Sequence, residues 1–341
     1  MVGLRALVTG GAGYIGSMLC RLLLDRGFDV VVLDRFFFGY EPLSDVLDRV
    51  RAVRGDVRWF EPDLLRGVDV VFDLASLSND PAGELDPAKT LEINYEGRVR
   101  VARLAKKLGV GRYVLASSCS VYGFQDGFVD ESSPTNPLTT YAKANVLAEG
   151  EVLSLADRSF SATVLRQATV YGYSPRMRFD LAVNGMVLGF FRDGRVPIMR
   201  DGRQWRPFVH VKDTSKAFLM VAEADADLVN GEVFNVGSNE QNIQIFDLAK
   251  VVADALKVPF EYVWYGSPDS RSYRVDFSKA ASKLGFRVDY SIGDGAREVY
   301  EALKDGRLKP DDPKTITVKW YRYLLEAQRL VRSVELNGVI L

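Results

Sequence analysis

Two cysteines, Cys20 and Cys119, are all that 341 residues contain, too few for a disulfide framework and without zinc-ligand spacing. The expectation is a protein of a reducing compartment, a cytoplasmic one. Histidine is scarcer still. His210, in FVHV, stands alone, with no second histidine to share a metal and no acidic group beside it, so it reads as structural. Charge of one sign is missing as well: 44 Lys and Arg face 45 Asp and Glu, and no basic stripe stands out, which argues against nucleic-acid binding. No apolar run approaches a membrane span, and Met1 to Thr9 is too short for a signal-peptide core. Internal repeats and low-complexity segments are absent, and no metal site is suggested.

What is present is the make-up of a folded chain, 47% hydrophobic and 26% charged. Continuous Val/Leu/Ile runs at 4–9, 29–33, 57–60, 68–74, 112–117 and 162–166 read as strands buried on both faces. Helical spacing at 14–26, 90–108 and 141–156 separates them. This alternation predicts an α/β fold, a Rossmann-type doubly wound parallel sheet with a smaller C-terminal substrate-binding lobe. The expected division is a cofactor domain over 1–170, to which the chain returns at about 213–237, with the lobe built from 171–212 and 238–312. Elements look short between Gly172 and Pro207, and the stretch from Asp269 to Asp276 looks irregular. The tail, 313–341, has helical character, with Trp320, Tyr323, Leu324, Ala327 and Leu330 as its apolar positions.

Residues 9–16 read TGGAGYIG and lie between a predicted strand and a predicted helix. Gly10 permits the tight turn, Gly13 lets backbone approach a pyrophosphate, and Gly16 lets the helix pack on the strand; Tyr14 and Ile15 begin that helix. Free N–H groups at its N-terminus then face phosphates. Asp34 ends the second strand, where a carboxylate binds ribose hydroxyls and repels a 2′-phosphate. NAD is the expected cofactor, a preference that the neighbouring Arg35 tempers.

With those motifs in place, the chain resembles the extended short-chain dehydrogenases that act on nucleotide sugars, the UDP-galactose 4-epimerase and sugar dehydratase group. TGGAGYIG, Asp34, Asp56-Val57, DLAS at 73–76, Asn94 in EINYEG, SSCSVYG at 117–123, TYAKAN at 140–145 and RPFVHVKD at 206–213 follow the family's order. The resemblance implies that Asp56 and Val57 border the adenine, that Leu74 and Ala75 line the cofactor cleft, and that Asn94 faces the active site from a helix. It also implies that Ser118 hydrogen-bonds the reacting hydroxyl and that Tyr141 is the acid/base. A free phenol titrates near 10, so the family lowers it with a lysine four residues on. Here that position is Asn145, which carries no charge, while Lys143 at i+2 points to the other side of the helix. A weakly activated Tyr141, another cation, or lost redox catalysis all remain open. By the same resemblance Thr169, Asn184, Arg206 and Arg271 are expected to hold a nucleotide-diphosphate sugar, the two arginines on its phosphates; Arg176 and Arg178 add positive charge nearby. The helices at 90–108 and 141–156 are expected to form a homodimer interface, as in relatives.

Dehydratases of this group carry an Asp-Glu pair after the Ser/Thr, and decarboxylases a Glu in the same stretch. Cys119 and Ser120 stand there instead. Cys119 reads as a packed residue, not a nucleophile. What the resemblance leaves is epimerisation at the 4-position through a transient ketosugar. Reduction of a ketosugar and a silent NAD-binding protein are the alternatives.

Overall fold

The computed structural model describes residues 3–340. Its centre is a seven-stranded parallel sheet made of β1 (Arg5–Thr9), β2 (Asp29–Asp34), β3 (Val50–Arg54), β4 (Val70–Asp73), β5 (Arg112–Ser118), β7 (Ser161–Gln167) and β11 (Val233–Val236). Their spatial order is β11-β7-β5-β4-β1-β2-β3. β7 is buried at every position, as a strand covered on both faces must be. The order reverses beside β1, and in such sheets ligands bind at the carboxyl ends near that point.

The helices are α1 (Tyr14–Asp25), α2 (Asp80–Gly83), α3 (Pro87–Leu91), α4 (Arg98–Lys107), α5 (Thr140–Ser154), α6 (Ala182–Asp193), α7 (Val211–Glu223), α8 (Ala226–Val229), α9 (Ile245–Leu256), α10 (Ser278–Leu284), α11 (Ile292–Lys304) and α12 (Thr317–Val334). A π-helical turn, Glu92–Gly97, joins α3 to α4. α4 and α5 cover one face of the sheet, where Val101, Ala102, Ala105, Ala148 and Val152 form a core with Leu7, Val71 and Leu115. α1 and α7 cover the other. A second core, under α6, α9 and α11, supports the lobe.

Three smaller sheets complete the chain. β8 (Thr169–Tyr171), β10 (Trp205–His210) and β12 (Asn242–Gln244) form one; β9 (Val196–Met199) pairs with β13 (Tyr262–Tyr265), and β6 (Phe124–Val129) with β14 (Ser272–Val275). No helix among the described residues is long and apolar enough to cross a membrane.

Several expected elements fall elsewhere. The run at 57–60 is a turn, with Trp59 and Phe60 donating to the Asp56 carbonyl, and the third strand is β3, seven residues earlier. β3 is an edge strand whose Arg51 and Arg54 face solvent, so its sequence lacks the apolar run of an inner strand. The stretch expected to hold only short elements contains the 12-residue α6. The stretch expected to be irregular contains β14, whose pairing with β6 spans well over a hundred residues and is invisible to local pattern. In the tail, Trp320, Leu324 and Ala327 turn inward, while Tyr323 and Leu330 are exposed. Tyr321, not among the expected positions, packs against Phe37 and Phe38.

Candidate active site

The glycine turn closes β1 onto α1. Gly10 has φ +70°, and Gly13 N donates to Gly10 O at 3.0 Å. A Cβ at Gly16 would lie 2.2 Å from Gly10 O, and one at Gly10 2.9 Å from Ala75 N. Only hydrogen fits at either place. No side chain caps α1, so its first N–H groups remain available to a phosphate. Thr9 fixes the opposite wall: its hydroxyl accepts from Leu74 N and Ala75 N, both at 3.1 Å. This cradle suits a dinucleotide, which NAD would fill with its diphosphate on the α1 N-terminus.

Asp34 sits at the end of β2, accepting from Ala12 N at 3.0 Å and Phe36 N at 2.7 Å. Burial raises its pKa above the usual carboxylate value, against those amides. Arg35 turns away from it and pairs with Asp56 at 2.5 Å, where Arg58 joins at 2.8 Å. Burial opposes ionisation of Asp56, but the two guanidiniums outweigh it and hold the carboxyl at about 2. Val57 is buried beside it. Arg35, committed to Asp56, makes no ion pair with the Asp34 carboxylate at the end of β2.

The residues of the candidate site come from three elements. Ser118 ends β5, and its hydroxyl accepts from Ser120 N at 3.1 Å. Tyr141 stands in the first turn of α5, started by Thr139, which caps Ala142 N at 3.2 Å. The turn at Asp80–Gly83 presses on it so closely that a Cβ at Gly83 would be 3.0 Å from Tyr141 Cβ. Burial raises the phenol above its ordinary value of 10, and Asp80 adds to this; the Asn145 amide, Arg98 and the Ser118 hydroxyl oppose it. Ser118, Tyr141 and Asn145 are thus brought together, and Lys143 is exposed on the far side of α5. Asn94, in the π-helical turn, clasps the loop after β4, accepting from Leu77 N at 2.8 Å and donating to Leu77 O at 3.2 Å.

One residue of this site was not singled out in the sequence. Arg98 is 1% exposed beneath Asn145. The signal lay in its position, on the buried stripe that carries Asn94, Val101, Ala102 and Ala105. Arg178 donates to Ser78 Oγ at 3.1 Å and pairs with Asp180 at 3.0 Å, tying the loop after β4 to the lobe.

A cavity of about 990 Å³ is lined by Thr169, Phe208, Tyr265, Arg206, Arg271 and the tail residue Trp320 among others; Ser118, Tyr141 and Asn145 do not line it. Arg206 and Arg271 share the carboxylate of Asp269, at 3.0 and 2.7 Å, and Arg271 also pairs with Asp80. Asn184, expected to touch substrate, does not line this cavity. It is fully buried and its amide is spent internally: it accepts from Gly172 N at 3.0 Å and donates to Tyr14 OH at 3.0 Å and Arg178 O at 2.9 Å. Tyr14 OH donates in turn to Gly172 O at 2.6 Å, so this pair joins α1 to the lobe. Among the described residues no cluster of His, Cys, Asp or Glu is placed to hold a metal. Burial pushes the Cys119 thiol up, away from nucleophilic use.

The chain is similar to known proteins. A putative UDP-glucose 4-epimerase of Methanocaldococcus jannaschii is 28% identical over 88% of this chain and 98% of its own length. UDP-glucuronic acid decarboxylase 1 of Arabidopsis thaliana is 29% identical over 91% of this chain and 72% of its own length. The solved UDP-glucuronic acid 4-epimerase of Bacillus cereus, in complex with UDP-glucuronic acid and NAD, superposes with a TM-score of 0.79 at 25% identity, covering 89% of this chain and 99% of that one. Residues 6–237, which hold the glycine turn, Ser118 and Tyr141, match the NAD dependent epimerase/dehydratase family, and the chain belongs to that family, with NAD as its cofactor.

Proposed function

We propose that this protein interconverts a pair of nucleotide-diphosphate sugars that are epimers at the 4-position, through a transient ketosugar. The observation that carries the reading is the pairing of Ser118 and Tyr141 with no carboxylate at the next two positions, Cys119 and Ser120. Asp80, a carboxylate that faces Tyr141, is engaged by Thr139 at 2.6 Å and by Arg271. Removing water from the sugar, or carbon dioxide from a uronate, calls for a further acid or base beside the ring, and the two positions after Ser118 supply none.

NAD, when bound, accepts a hydride and in reduced form returns it. Tyr141 takes the proton of the sugar hydroxyl as the ketone forms and gives it back on reduction. Ser118 orients that oxygen. Arg206 and Arg271 suit the diphosphate of the substrate, because a guanidinium offers paired donors in one plane. That anion would compete with Asp269 for both.

The test incubates the purified protein with NAD and UDP-, dTDP- and GDP-sugars and follows the ring protons by NMR. Interconversion of a 4-epimer pair without net NADH, lost by at least ~100-fold in Tyr141→Phe, is the expected result. Net NADH turnover, carbon dioxide or a dehydrated sugar would overturn it. We further propose a homodimer through α4 and α5. Leu147 is 46% exposed there, and Tyr95, Val99 and Leu104 line a shallow groove on the same face. Light scattering at micromolar concentration should give twice the 38.0 kDa chain mass.

A further inference from the structure

Arg98 is the deepest cation of the cofactor domain, and a buried charge is costly unless it is paired and hydrogen-bonded. Its partners are few and directional. Nη2 donates to Asp73 O at 3.0 Å and to Ala116 O, and Nε reaches Asp73 Oδ2 only at 3.4 Å. The Asp73 carboxylate is held more closely by others, Thr9 Oγ1 at 2.6 Å and the Tyr113 hydroxyl. The remaining arm, Nη1, donates to Asn145 Oδ1 at 3.1 Å.

That bond fixes the asparagine amide. With Oδ1 turned to the guanidinium, Nδ2 must point away from it, and Nδ2 is buried with no hydrogen-bond partner. An unmet buried donor is rare in folded proteins and marks a group awaiting one. Asn145 lies one helical turn beyond Tyr141, and its amide is near enough to influence the phenol. Arg98, Asn145 and Tyr141 therefore stand in series, a cation on α4 behind an amide on α5 whose outward donor is unpartnered.

We propose that Arg98 is a positioning residue that supplies, from the neighbouring helix and through Asn145, the positive charge that a lysine at position 145 would otherwise bring to Tyr141. A lysine at 145 would thrust its ammonium at the Arg98 guanidinium, so the two arrangements exclude each other. The inference rests on Tyr141 as the acid/base of the proposed reaction. Other charges also face the phenol and must stay constant in any comparison: Asp80 opposes ionisation, Arg178, paired with Asp180, favours it, and Asp73 partly offsets Arg98. The Ser118 hydroxyl is the uncharged neighbour.

The test titrates Tyr141 directly in the NAD-loaded protein, by 13C NMR of Cζ-labelled tyrosine, with the signal identified by its loss in Tyr141→Phe. Arg98→Met is expected to raise the Tyr141 midpoint by about one pH unit, and Arg98→Lys to leave it within a few tenths. Asn145→Lys alone should melt earlier than the double variant Arg98→Met/Asn145→Lys, in which the midpoint returns to the wild-type value. A folded Arg98→Met protein with an unmoved midpoint would overturn the proposal. So would equal melting of Asn145→Lys with and without Arg98→Met, a comparison that still decides the matter if Arg98→Met alone does not fold. The titration needs no sugar substrate. Failure to find turnover would sink the epimerase reading and leave this measurement standing.

Discussion

Glu298 on α11 offers a measurement of how the lobe is tied to the sheet. Its Oε2 accepts from His210 Nε2 at 2.9 Å and from Tyr173 N at 3.1 Å, and Oε1 pairs with Lys212. His210 Nδ1 accepts from Lys212 N at 3.2 Å, which assigns the proton to Nε2 and makes the imidazole a donor to the carboxylate. The Glu298 side chain is 24% exposed. Burial alone would raise its pKa, but His210 and Lys212 outweigh that and bring it down from 4.5 to about 2. A depressed carboxylate stabilises the fold above its unfolded pKa, and that stabilisation is lost as pH falls through the folded value. The shift corresponds to a ceiling of about 3 kcal/mol at neutral pH.

In Glu298→Gln one acceptor survives, so the loss should be about 2–3 kcal/mol at pH 7. At ~2.1 cal/mol/K of unfolding entropy per residue, this chain gains about 0.7 kcal/mol per kelvin, so the variant should melt about 3–4 °C below wild type. At pH 3.5 the wild-type advantage should have shrunk by about 1.4 kcal/mol, or roughly 2 °C, because the unfolded glutamate is by then mostly protonated while the folded one is not. Circular-dichroism melts of both proteins from pH 7 to 3.5 read the gap. A gap that stays constant, or widens as the solution is acidified, would refute the account of Glu298 as an ionised clasp.

Two further substitutions probe the frame. Gly16→Ala sets a methyl carbon 2.2 Å from Gly10 O; relieving it by about 1–3 kcal/mol of distortion should weaken NAD binding by about 10- to 100-fold in calorimetry, and unchanged affinity would mean the turn is soft. Arg166 donates to the buried Glu149 at 2.7 Å and bonds Tyr122 OH at 3.0 Å. Arg166→Met should cost about 3–5 kcal/mol in urea unfolding by stranding that carboxylate, most of it recovered in Arg166→Met/Glu149→Leu.

Much of this arrangement can be read from the chain because it is local. The glycine turn needs three small residues at set spacing between a strand and a helix, and TGGAGYIG states it outright. β1, β2 and β4 show themselves because inner strands covered on both faces carry unbroken apolar runs. Ser118 and Tyr141 are found through their surroundings, SSCSVYG and TYAKAN. β3 is hidden because an edge strand keeps its arginines in water. Glu298 meets His210 from 88 residues away, and no pattern within a window reports that. Asn184 misleads for a related reason. Its place in the chain suggests a sugar contact, but the burial of Tyr14 leaves a phenol and two backbone groups to satisfy, and the amide is consumed in doing so.

Arg98 shows most clearly how a site can keep a charge while losing the residue expected to carry it. The electrostatic demand of a reacting phenol is for positive potential nearby, not for a particular Cα. The turn from Glu92 to Gly97 is π-helical, and its wider winding takes up more residues per turn than α-helix. Asn94 and Arg98, four residues apart and so on one helix face, both point inward, Asn94 to Leu77 and Arg98 to Asn145. One helical segment thus holds the loop after β4 through Asn94 and reaches Asn145, behind Tyr141, through Arg98. Asparagine at 145 is then fitting on two counts: its oxygen meets the guanidinium, and its nitrogen is left for the phenol.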